Sequence, residues 1–172
     1  NKRKIVIACD GRVSSPALKA QLIKGLLESD LDIIDVGVGP TPMLYFSVYH
    51  LDMDAGIMVT GSHNPKDHNG FKIMLKERPF YGDDIINLAH IAASGDFVEG
   101  KGNIKDFDIE DFYVEKIIAD SLQWMHQNNR ARTHGFVIMP NHIHLLWSPV
   151  SKFHEEDNER TLLSFTGHSF KK

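Results

Sequence analysis

Four short apolar runs alternate with amphipathic segments in the first half of the chain, and this alternation constrains the fold more than any other feature. The runs are Lys4–Cys9, Asp32–Gly37, Ala55–Thr60 and Gly70–Leu75. Short, mostly apolar runs of this length are typical of strands that are buried on both faces. Strands separated by helices predict an α/β fold, a three-layer α/β/α arrangement around a mixed, mostly parallel sheet.

The segments between the runs carry helix signals. The pair Ser15-Pro16 is typical of a helix start, with the serine as N-cap and the proline at the first helical position. Apolar residues then recur at helical spacing to about Glu28. Thr41 is predicted to cap a second helix that ends near Tyr49. The remaining predicted helices cover Asp83–Ser94 and Ile109–Gln127.

The last fifty residues differ in composition from the rest. The whole chain has a formal charge of -4, but residues 1–120 hold 13 Lys+Arg against 19 Asp+Glu, and residues 121–172 hold 6 against 4. This shift predicts two domains, 1–120 and 121–172. The second is expected to be an incomplete α+β piece made of a β-hairpin and a final helix. Its predicted elements are His134–Met139, His142–Trp147 and Glu155–Lys172.

Composition excludes several classes of protein. Hydrophobic residues make up 42% of the chain, enough to bury a core, so disorder is not expected. The negative net charge argues against a nucleic-acid surface over the whole chain. The single Cys9 excludes an internal disulfide. No apolar run is long enough to span a bilayer and the start does not resemble a signal peptide, so we expect a cytoplasmic protein without a membrane partner.

The stretch Thr60–Pro65 places one hydroxyl in a tight polar loop between two predicted strands. Gly61 allows a sharp turn that exposes Ser62. A serine hydroxyl is a weak nucleophile and needs help from its neighbours. His63 follows it directly and can act as a donor or as an acid–base partner.

Two further residues fit phosphate chemistry at this loop. Lys72 follows ten positions after the serine and can offset phosphate charge, since phosphoryl transfer depends mostly on positioning and electrostatic stabilisation. Asn64 can hydrogen-bond the loop or a phosphate. An ordinary polar turn stays open as the alternative, because Gly, Ser, Asn and Pro dominate turns.

Several motifs together carry a family resemblance: Asp10-Gly11-Arg12 with Ser14-Ser15-Pro16, Gly39–Pro42, Thr60–Pro65 and Asn69–Lys72. From Lys4 to about Asp120 the chain resembles the first domain of the α-D-phosphohexomutases, the phosphoglucomutase and phosphomannomutase family. The resemblance implies that Ser62 carries a phosphoryl group, gives it to a hexose phosphate and takes one back from the hexose bisphosphate. It also implies proton transfer by His63, charge handling by Lys72, and Mg²⁺ bound through the phosphate on Ser62.

Arg12 is expected to support the phosphate loop, with a surface salt bridge as the alternative. Other parts of the family pattern have no counterpart here. They are the opening strand and helix with an Asp-Ile-Arg-Gly-like motif, the Asp-x-Asp-x-Asp cluster for Mg²⁺, and the sugar and phosphate loops of later domains. Because catalysis needs the sugar held at both ends, we expect this chain to be inactive alone.

His142 and His144 lie two residues apart in the predicted hairpin. Residues i and i+2 of a strand share a face, so the two imidazoles could share a divalent metal. The surrounding stretch, 134–147, resembles the core of the HUH tyrosine transposases, including those associated with repetitive palindromic elements. This resemblance implies Mg²⁺ or Mn²⁺ and a single-stranded DNA partner.

The transposase resemblance is itself incomplete. The family's tyrosine nucleophile follows the histidine pair, but all four tyrosines of this chain precede it. We therefore expect a truncated remnant that does not cleave DNA. A solvated strand face with two histidines, a DNA-binding or nicking module and an inactive fusion fragment stay open as alternatives.

Overall fold

The computed structural model describes residues 2–139, 142–150 and 157–162, except for the side chain of residue 142. The chain divides into two compact units, Asn1–Ile109 and Glu110–Lys172. The boundary predicted near residue 120 falls inside a helix of the second unit. That boundary concerns where the two sequence resemblances meet, and it stays a prediction.

The first unit is built on a five-stranded sheet in the order β4-β3-β1-β2-β5. Its strands are β1 Lys4–Cys9, β2 Asp32–Val38, β3 Ala55–Val59, β4 Phe71–Leu75 and β5 Ile104–Asp106. Only β4 runs antiparallel to its neighbour, and the other three pairings are parallel. The predicted mixed, mostly parallel sheet is therefore confirmed. The sequence pattern did not reveal β5, which has three exposed residues and so lacks an apolar run.

Helices cover both faces of this sheet. These are α1 Ser15–Glu28 and α2 Thr41–His50, whereas the third helix of the unit, α3 Asp83–Ser94, has no buried residue. A Cβ on Gly56 in β3 would meet side chains of α2, so α2 covers that face. Lys19 of α1 pairs with Asp35 of β2, which lies beside Ile7 on the opposite face. The predicted three-layer arrangement follows.

The central strands hold the core of the first unit. Residues 6–9 of β1 and all of β3 are buried, and Leu44 and Val48 of α2 are buried against them. Strands enclosed in this way can present polar groups only where they end. The polar residues that follow β1 and β3 are therefore gathered at one edge of the sheet.

Two predicted helix caps are wrong. The N-cap of α1 is Ser14, and no side-chain hydrogen bond caps the helix. Ser15 is the first helical residue, and its buried hydroxyl donates to Asp10 at 2.5 Å instead. The N-cap of α2 is Pro40, so Thr41 is also inside the helix. The Ser15 hydroxyl therefore binds the site carboxylate instead of capping its helix.

The second unit consists of α4 Glu110–Gln127 and an antiparallel hairpin, β6 Ala131–Met139 with β7 His142–Pro149. The predicted hairpin is confirmed, with both strands longer than expected. Of the predicted final helix, residues 157–162 are helical, and the rest lies outside the described residues. No described helix is long and apolar enough to cross a membrane.

Candidate functional site

Three chain segments meet at one edge of the sheet in the first unit. The amide of Asp10, just after β1, donates to the Val59 carbonyl at 3.0 Å. The amide of Thr60, just after β3, donates to the Gly70 carbonyl at 2.9 Å, immediately before β4 begins. The start of α1 lies at this edge too, through the bond from Ser15 to Asp10. In sheets of this type, sites form at the carboxyl ends of strands.

The polar loop between β3 and β4, called here the serine loop, comprises residues 60–70. Two tight turns shape it, with the Asn64 amide donating to the Gly61 carbonyl at 2.9 Å and the His68 amide donating to the Pro65 carbonyl at 3.0 Å. Ser62 is exposed and has a φ of 52°. That left-handed conformation costs a non-glycine residue roughly 1–2 kcal/mol, so the surrounding contacts must enforce it.

The side chain of Arg12 holds the serine loop through hydrogen bonds. Its Nε donates to the Asp10 carboxylate at 3.1 Å. Its two terminal nitrogens donate to four loop carbonyls, those of Ser62 (3.1 Å), Asn64 (2.8 Å), His68 (3.0 Å) and Pro65. Of the two alternatives for Arg12, the ion pair is present but not at the surface, because the two side chains are only 16% and 21% exposed.

Asp10 is the other centre of this network. Its two carboxylate oxygens accept five hydrogen bonds, from the Arg12 amide (3.2 Å) and Nε (3.1 Å), the Ser15 hydroxyl (2.5 Å), the Thr60 hydroxyl (2.8 Å) and the Gly61 amide (3.2 Å). Burial pushes the pKa of this carboxyl upward, but the hydrogen bonds from Ser15, Thr60 and the two amides outweigh it. The pKa of Asp10 is therefore lowered, and the group is held as a carboxylate.

Thr60 and Asn69 connect this centre to Ser62 and to α1. The Thr60 hydroxyl donates to Asp10 and accepts the Ser62 amide at 2.9 Å. The Asn69 side chain donates to the hydroxyls of Ser14 and Ser15 at 2.9 and 3.0 Å. Ser62 is thus fixed on its amide side by Thr60 and on its carbonyl side by Arg12.

Gly61 is required for this close approach. A Cβ at this position would lie 2.3 Å from the Arg12 guanidinium carbon and 2.5 Å from the His68 carbonyl oxygen. No side chain fits there without displacing the arginine. The sequence predicted a sharp turn at Gly61, and the structure adds that the residue also makes room for Arg12.

The other predicted site residues differ in how they are placed. His63 and Asn64 are exposed, and Asn64 contributes its backbone to the Arg12 contacts. Lys72 is half-buried in β4, opposite Met58 and within two residues of the loop. In the described part of the chain its ammonium has no ion pair. Sequence reasoning did not select Asp10, Thr60 or Asn69, although each comes just after or just before a strand at this edge.

An open groove of about 730 Å³ lies beside the serine loop, lined by residues 10–14 with Lys66 and Asp67. Lys66 is exposed and makes no hydrogen bond or ion pair with any other described residue. Asp67 is exposed and lies 3.2 Å from the ring of His68. The part of the groove that the serine loop contributes therefore carries one basic and one acidic side chain.

The histidine pair belongs to the second unit. His142 and His144 are paired in the hairpin with Met139 and Val137. The side chain of His142 lies outside the described residues. Within the described ranges, no three His, Cys, Asp or Glu side chains cluster in a way that could hold a metal ion.

Comparison with known proteins identifies the first unit. Residues 1–99 match the family model described as phosphoglucomutase/phosphomannomutase, alpha/beta/alpha domain I. A phosphomannomutase/phosphoglucomutase of Pseudomonas putida is 38% identical over 117 residues, which are 68% of this chain and 25% of that protein. A phosphoglucomutase of Neisseria gonorrhoeae is 38% identical over 118 residues, 67% of this chain and 26% of that protein.

A solved structure agrees with these relatives. The phosphoglucomutase/phosphomannomutase family protein from Burkholderia thailandensis superposes with a TM-score of 0.64 at 40% identity, over 69% of this chain and 28% of that chain. This chain thus spans about a quarter of the length of the curated relatives it matches. Because the family match covers more than half of its residues, the chain belongs to the phosphoglucomutase/phosphomannomutase family through its α/β/α domain I.

Proposed function

We propose that Ser62 is the phosphoryl-carrying residue of a hexose-phosphate mutase, and that this chain supports transfer to the serine without completing the mutase cycle. One observation carries the proposal. An exposed serine sits in a left-handed conformation on a loop whose backbone is held on both sides of it. Rigid presentation of this kind suits a transfer that depends on positioning.

The proposed step begins with a hexose bisphosphate beside the serine loop. The Ser62 hydroxyl oxygen attacks phosphorus, so that a serine O–P bond forms while the sugar O–P bond breaks. The serine proton ends on the sugar oxygen, which leaves as a hydroxyl. His63, exposed next to Ser62, is proposed to carry that proton, and Lys72 is proposed to offset the phosphate charge.

Mg²⁺, implied by the family resemblance, would add positive charge at the phosphate on Ser62. The residues that the structure describes do not form a site for it by themselves. No three His, Cys, Asp or Glu side chains cluster among the described residues, and the carboxylate of Asp10 already accepts five hydrogen bonds. No step of the proposed transfer is therefore assigned to the metal.

Intact-mass measurement tests the proposal. The 172-residue chain, incubated with glucose 1,6-bisphosphate and Mg²⁺, is expected to gain the mass of one phosphoryl group, with peptide mapping to Ser62. Ser62→Ala should abolish the gain, whereas Ser94→Ala, at an exposed serine that ends α3, should leave it unchanged. No gain in the parent chain would refute the role of Ser62 and favour an inactive fusion fragment.

A second assay tests the incomplete cycle. Glucose 1-phosphate and glucose 6-phosphate are not expected to interconvert with this chain as the only enzyme, because its family match is to domain I and catalysis needs the sugar held at both ends. Measured interconversion that Ser62→Ala removes would refute this part of the proposal while supporting the role of the serine.

A second candidate function concerns the hairpin of the second unit. It is favoured by one observation. His142 and His144 lie two residues apart on β7, which pairs with β6 in the hairpin. We propose metal-dependent binding of hairpin single-stranded DNA without cleavage. Binding that requires Mn²⁺ and is lost in both His142→Ala and His144→Ala would support this proposal, and metal-independent binding or no binding would refute it.

A further inference from the structure

We infer that Arg12 acts only through the serine loop, as a positioning residue, and does not contact the transferred phosphate. The inference rests on the proposed role of Ser62. It assigns to Arg12 a different task from the one its charge suggests, because an arginine beside a phosphate-carrying residue is ordinarily expected to bind the phosphate itself.

The number of hydrogen-bond donors carries the inference. A guanidinium group has five N–H donors, one on Nε and two on each terminal nitrogen. In Arg12 the Nε donor goes to Asp10, one terminal nitrogen donates to the Pro65 and His68 carbonyls, and the other donates to the Ser62 and Asn64 carbonyls. Five donors meet five acceptors within the protein, so none is left for a ligand.

Charge supports the same conclusion. The Asp10 carboxylate lies 3.1 Å from the Arg12 guanidinium, so the pair is neutral as a unit. By contrast, Lys66 lines the same groove with an exposed ammonium that has no described partner. Arg12 therefore fixes the geometry of the loop, whereas a change at Lys66 alters only the charge of the groove.

Lysine cannot replace arginine in this arrangement. Its three donors radiate from a single nitrogen, whereas the planar guanidinium spreads its donors over carbonyls of both loop turns. Arg12→Lys keeps the charge but is expected to release the turns and the left-handed backbone of Ser62. The matched control is Arg78→Lys, because Arg78 also pairs with an aspartate, Asp84, elsewhere in the first unit.

The test measures single-turnover phosphorylation of Ser62 against glucose 1,6-bisphosphate concentration, and hydrogen exchange of residues 61–70. For Arg12→Lys we expect the limiting rate to fall on the order of 10- to 100-fold with an unchanged half-saturating concentration. Exchange across the loop should accelerate in this variant. Lys66→Met should instead raise the half-saturating concentration and leave the limiting rate close to that of the parent. Arg78→Lys should change neither the limiting rate nor the half-saturating concentration.

Two outcomes would overturn the inference. One is an Arg12→Lys variant with a raised half-saturating concentration and an unchanged limiting rate, which would indicate direct phosphate contact. The other is unchanged exchange at residues 61–70. That exchange arm needs no phosphorylation, so it decides the role of Arg12 even if the parent chain takes up no phosphoryl group and the proposal for Ser62 fails.

A measurement on the parent protein covers the case in which Arg12→Lys does not fold. The ¹⁵N–¹H signals of the Arg12 guanidinium are expected to stay unchanged when inorganic phosphate or glucose 1,6-bisphosphate is added, because all five donors are already taken. Signals that shift on addition of either compound would overturn the inference.

Discussion

Replacing Asp10 with asparagine tests the centre of the site most directly. The substitution keeps the shape of the side chain but turns one acceptor oxygen into an NH₂ donor. The less costly orientation puts this NH₂ in place of the oxygen that accepts the Arg12 amide and the Ser15 hydroxyl. The hydroxyl can rotate and become an acceptor, but the amide cannot. Arg12 also loses its counter-charge.

The magnitude follows from these losses. Hydrogen bonds to charged groups contribute about 1.5–3 kcal/mol each, and an unsatisfied donor adds a desolvation cost. Since the pair is partly exposed and one bond can be recovered, we expect Asp10→Asn to destabilise the first unit by about 2–4 kcal/mol. If exchange occurs through global opening of the unit, its most protected amides should exchange roughly 30- to 1000-fold faster.

The assay must separate the two units. Both tryptophans, Trp124 and Trp147, lie in the second unit, so their fluorescence reports that unit and serves as an internal control. Hydrogen exchange of β1 and β3 reports the first unit. Asp84→Asn is the matched variant, because Asp84 also pairs with an arginine but at a surface where such pairs contribute at most about 1 kcal/mol. Equal effects of the two substitutions would refute the reasoning.

The remaining predictions concern packing and pH. Gly61→Ala should displace Arg12 and accelerate exchange in the serine loop, and an unaltered loop would contradict the crowding described above. Gly56→Ala should cost about 1–3 kcal/mol by overpacking against α2. At Gly25, inside α1, an added Cβ would meet nothing within 4 Å, so Gly25→Ala should stabilise the first unit by up to about 1 kcal/mol. Thermal unfolding should therefore show a lowered melting temperature for Gly56→Ala and a raised one for Gly25→Ala. Because the folded pKa of Asp10 is lowered, its contribution should be present above the unfolded value of about 3.9 and lost as pH falls through the folded value. Acid titration of Asp10→Asn should therefore show a shallower loss of stability, and a slope equal to that of the parent would contradict this.

Much of the fold could be predicted from local pattern. The runs that became β1 to β4 are short and mostly apolar, which is typical of strands enclosed between helices, and the structure confirms them. The hairpin was predicted from two apolar runs around a Pro-Asn pair. By contrast, β5 has no apolar run that could predict a strand. It is a strand only through its backbone pairing with β2.

The sequence by itself determined which residues could carry chemistry, because a hydroxyl, an imidazole and a lysine in and just beyond a glycine-containing loop are local facts. It could not determine how the loop is held. Only the tertiary structure brings Arg12 beneath carbonyls some fifty residues away, and only it adds the donors of Thr60 and Gly61 to those that Asp10 receives from residues 12 and 15. The physical reason is that parallel strands bring their carboxyl ends to one edge, so contacts between distant residues there depend on the sheet order and not on local sequence.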